Sequence, residues 1–305
     1  MLTLLWQIVS VNYIVNSSLG KTYVSALIET FGKLSFVMIV IAIQIIYRQM
    51  LVSLFEVIYK FRCFDAFKTM QNKEWPFLNN NIVRQLSKNI TFDNNDTKSI
   101  TVAELHSDVV CDTYINHYKI NIPLFMTFTV LTSIYMKNNV LDMSIDQLPT
   151  LYEILFQLNA SFLISDAIFY FAHRTLHSRK LFWIHSDHHD FKYPTVHASM
   201  RSGVIDYILE ILIPGGIGLC FFKMHVITFT LYMFSGVTID VLNHCGYMIL
   251  YFPFNYFFPI NELLFGEIIY KHHEKHHNKV VKNYGGVTMI YDKLFNTIDT
   301  YESNE

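Results

Sequence analysis

Long apolar stretches alternate with polar intervals along the chain. Residues 34–46 are almost uninterruptedly apolar, and with their flanks, from 24 to 47, they reach the ~20 residues that a helix needs to cross a bilayer. Residues 1–15 are apolar without a basic leader or cleavage site, which predicts a short first pass or an interfacial helix. Further membrane helices are predicted over 122–136, 151–172, 205–222 and 225–242.

The polar intervals indicate how these helices are arranged. If 122–136/151–172 and 205–222/225–242 are helical hairpins, then the intervals 60–119, 173–200 and the tail from Lys271 face one side. Because these intervals carry Lys and Arg, the positive-inside tendency places them in the cytosol. The predicted fold is an all-α integral membrane bundle of about four to six transmembrane or re-entrant helices with a cytosolic, histidine-rich helical cap.

Composition supports a membrane protein. Hydrophobic residues make up 52% of the 305 residues and charged residues 16%, whereas soluble domains carry about 25% charge. A soluble helical protein is the weaker alternative, and disorder is excluded. A net charge of −2 gives no indication of nucleic-acid binding. The four widely spaced cysteines form no CxxC pair and are expected to be free thiols.

Histidine is the unusual residue type, because all but two of the 14 histidines lie between His173 and His277. They form an HxxxH motif, two HxxHH motifs and a single histidine in an NHCGY segment. The nine candidate metal ligands are His173, His177, His185, His188, His189, His244, His273, His276 and His277.

The spacing favours metal binding, because helical residues three and four positions apart share one face. Each HxxHH motif is therefore expected to present its three imidazoles together. Nine imidazoles exceed the four ligands of a single zinc site and suit two metal ions. Nitrogen ligands are compatible with iron, copper, zinc or nickel. A site without carboxylates or thiolates at a membrane surface favours iron and oxygen chemistry, which attacks unactivated C–H bonds.

Several neighbouring residues are assigned with this cluster. Asp166 and Tyr170 fall on the same helical stripe as His173 and His177, and Asp166 is expected to accept a hydrogen bond from a liganding imidazole. The alternative for Asp166 is a salt bridge to Arg174 or Arg201. His197 and His272 are either additional ligands or mere neighbours. His106, His117 and His225 are expected to be capping or solvated residues.

One competing motif is present. Residues 273–277 also read HExxH, the zinc-protease pattern with Glu274 as general base. That interpretation uses His273 and His277 alone and leaves seven clustered imidazoles unexplained.

The order HxxxH, HxxHH, HxGY, HxxHH resembles the fatty acid hydroxylase/sterol desaturase superfamily of membrane di-iron proteins. Asp166, Tyr170, His173, Arg174 and His177 match its DxxxYxxHRxxH pattern, and the segment 283–297 is similar to its NYG…WDxLFGT ending. The likeness covers about 150–300. A di-metal domain is accordingly expected at 121–305, after N-terminal membrane segments and a polar connecting region at 1–120.

The resemblance implies a chemistry and its partners. Two iron ions would use O2 to hydroxylate a membrane lipid, with electrons from NAD(P)H through cytochrome b5 or a reductase, and no catalytic residue beyond the metal ligands is expected. Arg201 and Asn243 are expected to lie next to the metal ligands and to orient them rather than to bind metal. Gly203 stands where many members have a histidine, and His197 is the candidate replacement. An endoplasmic reticulum location with the histidines facing the cytosol is also implied.

The subclass stays open at this point. The NHCGY segment around His244 is similar to the HSGY of C-4 methylsterol oxidases, whereas 193–195 resembles C-5 sterol desaturases. Sterol or related lipid hydroxylation is favoured, with desaturation by the same site as the alternative. A catalytically inactive membrane protein with structural zinc is the alternative of another class.

Overall fold

The computed structural model describes residues 18–61, 64, 102–135, 141–142, 147–191, 195–247 and 269–299. The long helices are α1 (Ser18–Phe61), α2 (Val102–Asn116), α3 (Ile122–Tyr135), α4 (Leu151–Leu176), α8 (Val226–His244) and α9 (Ile269–Lys279). The shorter ones are α5 (Phe182–His185), α6 (Val204–Tyr207), α7 (Ile213–Cys220) and α10 (Ile290–Leu294). The predictions for 1–15 and for 193–194 lie outside the described residues.

Two π-helical turns interrupt the helical segments. His117–Asn121 joins α2 to α3, and Ile208–Leu212 joins α6 to α7. Two 3-10 turns, His188–Asp190 and Ala198–Met200, follow α5. A two-residue parallel pair of strands, β1 (Leu141–Asp142) and β2 (Met224–His225), is the one sheet in the described part of the chain.

In the described part of the chain, three helices are long and apolar enough to cross a membrane. They are Ser35–Phe61 within α1, Leu151–Leu176 and Val226–His244. The helical membrane fold predicted from the sequence is therefore confirmed. The polar interval 60–119 is not purely a connection, because it contains α2.

Polar contacts within the apolar helices lock α1 against α8. The Arg48 guanidinium lies 2.7 Å from the Asp240 carboxylate. Gln44 donates to the Met233 carbonyl at 3.2 Å, and Tyr47 shares a 2.8 Å hydrogen bond with Thr238. Because apolar surroundings strengthen such bonds and penalise unpaired groups, these contacts fix the register of the two helices.

The segment after α9 folds around the buried Asp292 of α10. This carboxylate accepts the backbone N–H groups of Tyr284 and Gly285, at 2.8 and 2.7 Å, and the Thr297 hydroxyl at 2.7 Å. Its side chain also lies 3.0 Å from His272 Nε2. These bonds hold the 283–297 loop beside α4 and α9, where the histidines converge.

Candidate metal centre

The nine histidines of the motifs come from five places in the fold. His173 lies in the last turn of α4, and His177 ends that helix as its C-cap. His185 belongs to α5, and the following turn carries His188 and His189. His244 ends α8, and α9 carries His273, His276 and His277. All nine meet at the same end of the α4 and α8 helices.

These imidazoles form two groups, within each of which the ligand atoms lie within 4.8 Å of one another. The first group is His173, His177, His185, His189 and His276, and the second is His188, His244, His273 and His277. The expectation that each HxxHH triad acts together is wrong. In α9, His276 belongs to the first group, whereas His273 and His277 belong to the second. In the other HxxHH motif, His188 belongs to the second group, whereas its two partners belong to the first.

The Nε2 atoms of the rings point at one another. In the first group, His189 Nε2 lies 3.2 Å from the Nε2 atoms of His177, His185 and His276. In the second, His244 Nε2 lies 3.3 Å from His188 Nε2 and 2.9 Å from His273 Nε2.

The opposite nitrogen, Nδ1, faces outward to acceptors in six of the nine rings. Five Nδ1 atoms contact backbone carbonyls: His173 to Tyr284 at 2.8 Å, His188 to Arg201 at 3.2 Å, His244 to Asp240 at 2.7 Å, His276 to Lys282 at 2.6 Å, and His277 to Phe191 at 3.2 Å. The sixth, His185, contacts the Asp206 carboxylate at 2.9 Å. A carbonyl only accepts, so these Nδ1 atoms carry the proton and Nε2 carries the lone pair.

Burial lowers the pKa of His188, His276 and His177. Desolvation, followed by the charge that neighbouring His244 would carry, lowers the pKa of His188 to about 3. Desolvation and then His177 hold the pKa of His276 well below its usual range. The pKa of His177, on the rim, falls to about 4 through desolvation. At neutral pH these three rings are therefore uncharged and able to coordinate a metal.

This donor set fits two metal ions. Neutral Nδ1–H imidazoles at Nε2 separations of about 3 Å direct lone pairs at one another, which is repulsive unless a cation accepts them. Outward hydrogen bonds from Nδ1 to carbonyls and carboxylates are the usual arrangement around metal-bound histidines. The two groups offer five and four nitrogen ligands, which suits transition metals rather than magnesium or calcium.

A third cluster lies directly behind the first group. Asp206 and Glu210 both approach His185 Nδ1, at 2.9 and 3.4 Å, and all three side chains are buried. Sequence reasoning missed these two carboxylates. Their position within an apolar stretch, 205–222, was the available signal, since ionisable residues inside such stretches commonly have a function.

The structure gives Asp166 a different role from the one expected. Its carboxylate accepts hydrogen bonds from the backbone N–H groups of 286–288 and from the Thr288 hydroxyl, rather than from an imidazole. Asp166 forms no salt bridge to Arg174 or Arg201 either, among the contacts of the described residues. The Tyr170 hydroxyl bonds Thr297 at 2.8 Å and accepts from Arg174. These three N–H groups and one hydroxyl occupy the Asp166 carboxylate in place of an imidazole.

Arg201 and Asn243 support the cluster indirectly. The Arg201 carbonyl accepts from His188 Nδ1, while its guanidinium pairs with Asp190 and Asp112. Asn243 donates to the Gly286 carbonyl at 2.6 Å and so ties α8 to the loop after α9. Neither side chain hydrogen-bonds a clustered imidazole among the described contacts.

His197 and His272 lie outside both groups. His197 Nε2 is 3.7 Å from Glu56 and its ring packs edge-on against Tyr114. His272 Nε2 faces Asp292 at 3.0 Å. Neither histidine therefore contributes a ring nitrogen to either group.

A cavity of about 230 Å³ adjoins the second group. Its walls include His188, His244 and His273, together with apolar side chains of the long helices such as Phe125, Phe162 and Met233. The cavity thus connects the proposed metal ligands with a lining suited to lipid.

Comparison with known proteins agrees with this architecture. Residues 158–297 match the fatty acid hydroxylase family. The predicted resemblance is therefore confirmed. The division of the chain at 120/121 stays a prediction.

Individual proteins are also similar to this chain in sequence. The chain is 25% identical to fatty acid hydroxylase domain-containing protein 2 of Macaca fascicularis over 52% of its own length and 45% of the relative's. It is 30% identical to methylsterol monooxygenase 2-2 of Arabidopsis thaliana, over 61% of this chain and 66% of the relative. Methylsterol monooxygenase 1 of Danio rerio is 32% identical over 60% and 59%.

The matches cover only part of each relative. The chain spans about half the length of the first of these curated relatives, 45%. No solved structure matches.

Proposed function

We propose that this protein is a membrane-bound, di-iron, O2-dependent lipid hydroxylase acting on a sterol or a related lipid. The observation that carries the proposal is the pair of imidazole groups, whose Nε2 atoms converge while their Nδ1 atoms are held from behind. The match to the fatty acid hydroxylase family and the similarity to methylsterol monooxygenases support the reaction class.

The reaction is R–H + O2 + 2e⁻ + 2H⁺ → R–OH + H2O. Two iron ions held by the nine histidines would supply the oxygen activation that attacks an unactivated C–H bond. The electrons would come from NAD(P)H through cytochrome b5 or a reductase. We infer a location in the endoplasmic reticulum, with the histidines on the cytosolic side.

The chain's own residues would position and shield this chemistry. Carbonyls such as that of Tyr284 fix the ring orientation and the tautomer of each ligand. His173 and His276 are 0% exposed, so bulk water is kept from the first group. Residues His188, His244 and His273 form the boundary with the cavity, where the lipid C–H bond would be presented.

The direct test replaces one ligand from each group. We expect His276→Ala and His188→Ala each to lower bound iron and to abolish O2-dependent product formation from lipid. His225→Asn is the matched control, because His225 caps α8 by accepting from Ile227 N–H and asparagine caps equally well. Full activity with undiminished iron in either alanine variant would refute the di-iron proposal.

Metal analysis after anaerobic purification separates the alternatives. Two irons per chain and O2-dependent hydroxylation support the proposal. Redox-inert zinc with no oxygen-dependent product would instead indicate a structural metal site. Glu274→Gln tests the protease alternative, since it removes the general base of that motif while leaving all nine imidazoles.

A further inference from the structure

The lining of the cavity includes buried polar atoms that lack a hydrogen-bond partner among the described residues. Gln44 Oε1, His117 Nδ1 and Glu210 Oε1 accept or donate no hydrogen bond among the described residues. Their side chains belong to residues only 7%, 4% and 8% exposed, and all three residues line the cavity. Leaving a buried polar group unpaired is unfavourable, so three such atoms in one cavity lining point to a polar ligand.

The backbone places two of these residues on unusual turns. His117 begins the π-helical turn His117–Asn121, and Glu210 is the central residue of Ile208–Leu212. π-helical turns are rare and occur frequently at functional sites. The expectation that His117 is a capping or solvated residue is wrong, because the turn buries it against the cavity.

The described lining offers no unpaired positive charge to an anionic ligand. Arg48 is the one lysine or arginine among the described lining residues, and its guanidinium is paired with Asp240 at 2.7 Å. Three further carboxylates, those of Asp166, Asp206 and Glu210, also line the cavity. A carboxylate or phosphate on a lipid would therefore meet no unpaired cation among the described lining residues.

A hydroxyl group satisfies the unpaired atoms. It donates one hydrogen bond and accepts others, whereas the amide oxygen of Gln44 can only accept. Burial and then the charge of Arg48 lower the pKa of His117 to about 3, so its ring is neutral and offers both a donor and an acceptor. The lining also includes apolar side chains such as those of Ile45, Phe162 and Met233.

We propose that the cavity binds a lipid whose polar end is an uncharged hydroxyl group, held against Gln44, His117 and Glu210. This inference rests on the proposed function and deepens it by naming the polar end of the substrate. The reacting carbon would then lie toward the His188 and His244 side of the same cavity.

Binding of matched probes to the purified, iron-loaded protein in detergent tests the proposal. Scintillation proximity would compare tritiated 1-hexadecanol, hexadecyl phosphate and hexadecylamine, and cholesterol with cholesteryl sulfate. We expect at least one alcohol to bind about tenfold or more tightly than its charged counterparts, a factor of ten being a hydrogen-bond-sized effect. Equal or tighter binding of the charged probes, or binding of neither alcohol, would overturn it.

Variants locate the binding site. We expect His117→Leu and Gln44→Leu each to weaken alcohol binding about tenfold, with His117→Gln restoring part of it because an amide still hydrogen-bonds. His225→Asn is the control outside the cavity lining. Unchanged alcohol affinity in both leucine variants, with iron content retained, would remove these residues from the site.

The two proposals fail in different ways. Alcohol binding without iron or oxygen-dependent product would contradict the hydroxylase proposal and leave the cavity assignment intact. Oxygen-dependent hydroxylation of a phosphate- or sulfate-bearing lipid in preference to its alcohol would overturn the cavity assignment alone.

Discussion

The Asp166 carboxylate accepts a 2.6 Å hydrogen bond from the Thr288 hydroxyl. The same carboxylate accepts the backbone N–H groups of 286–288 at 2.8 to 3.0 Å. These bonds join α4 to the loop that follows α9. Because that loop also supplies the Tyr284 carbonyl to His173 Nδ1, Asp166 positions a proposed metal ligand without touching it.

We expect Asp166→Asn to destabilise the protein and lower its iron content. The asparagine amide would direct an N–H group at donors that now face a carboxylate oxygen. It would also remove hydrogen bonds to a charged group, each of which contributes about 1.5–3 kcal/mol to stability. Thermal unfolding in detergent and iron analysis check this.

Asp112→Asn is the matched control for Asp166→Asn. Asp112 pairs with Arg201, but its side chain is 54% exposed, and exposed pairs contribute little to stability. Equal iron and equal melting temperature in both variants would contradict the role given to Asp166.

A second test concerns Asp206, whose carboxylate contacts His185 Nδ1. We expect Asp206→Leu to weaken iron binding about 10- to 100-fold, because the Nδ1 proton of His185 loses the acceptor that lies at 2.9 Å. Asp206→Asn keeps an acceptor oxygen and should fall between leucine and wild type. Competition for iron with a graded series of chelators measures the iron affinity of each variant. Equal affinities of the leucine and asparagine variants would contradict the role given to the Asp206 carboxylate.

Sequence patterning predicts the long helices α4 and α8 and the shared face of two histidines. Apolar length predicts α4 and α8, and i, i+4 spacing predicts that His173 and His177 share a face. The π-helical turns were not predictable in this way, since a one-residue insertion leaves the hydrophobic period almost unchanged.

The division of the histidines between the two groups depends on tertiary structure. His188 and His189 lie on a 3-10 turn, so their rings diverge in a way that helical spacing does not describe. The outward acceptors are mostly backbone carbonyls, which every residue has and which no motif therefore marks. Asp166 was recognised as unusual, but its partners lie 120 residues or more further along the chain.

His197 and His272 should be dispensable for metal binding. We expect His197→Gln to retain the full iron content, since the His197 ring faces Glu56 and Tyr114 rather than either group. His272→Gln should also retain both irons but lower the melting temperature, because it disturbs the contact with buried Asp292. Loss of one iron per chain in His197→Gln would instead show that His197 is a metal ligand.

The loop after α9 leaves no room for a side chain at Gly285. A Cβ atom there would lie 2.2 Å from the Thr288 carbonyl oxygen and 3.0 Å from Asp292 Oδ2. Gly285→Ala should therefore displace the loop, lengthen the bond between the Tyr284 carbonyl and His173, and reduce both iron content and melting temperature.

Gly203→Ala is the comparison for Gly285→Ala. A Cβ atom at Gly203 would have its nearest contact 3.9 Å away, an ordinary van der Waals distance, and the φ of −72° suits alanine. We expect this variant to keep its iron and to melt within about 2 °C of wild type, as surface-like changes usually do. If Gly285→Ala behaved the same way, the tight packing around Asp292 would not be what orients His173.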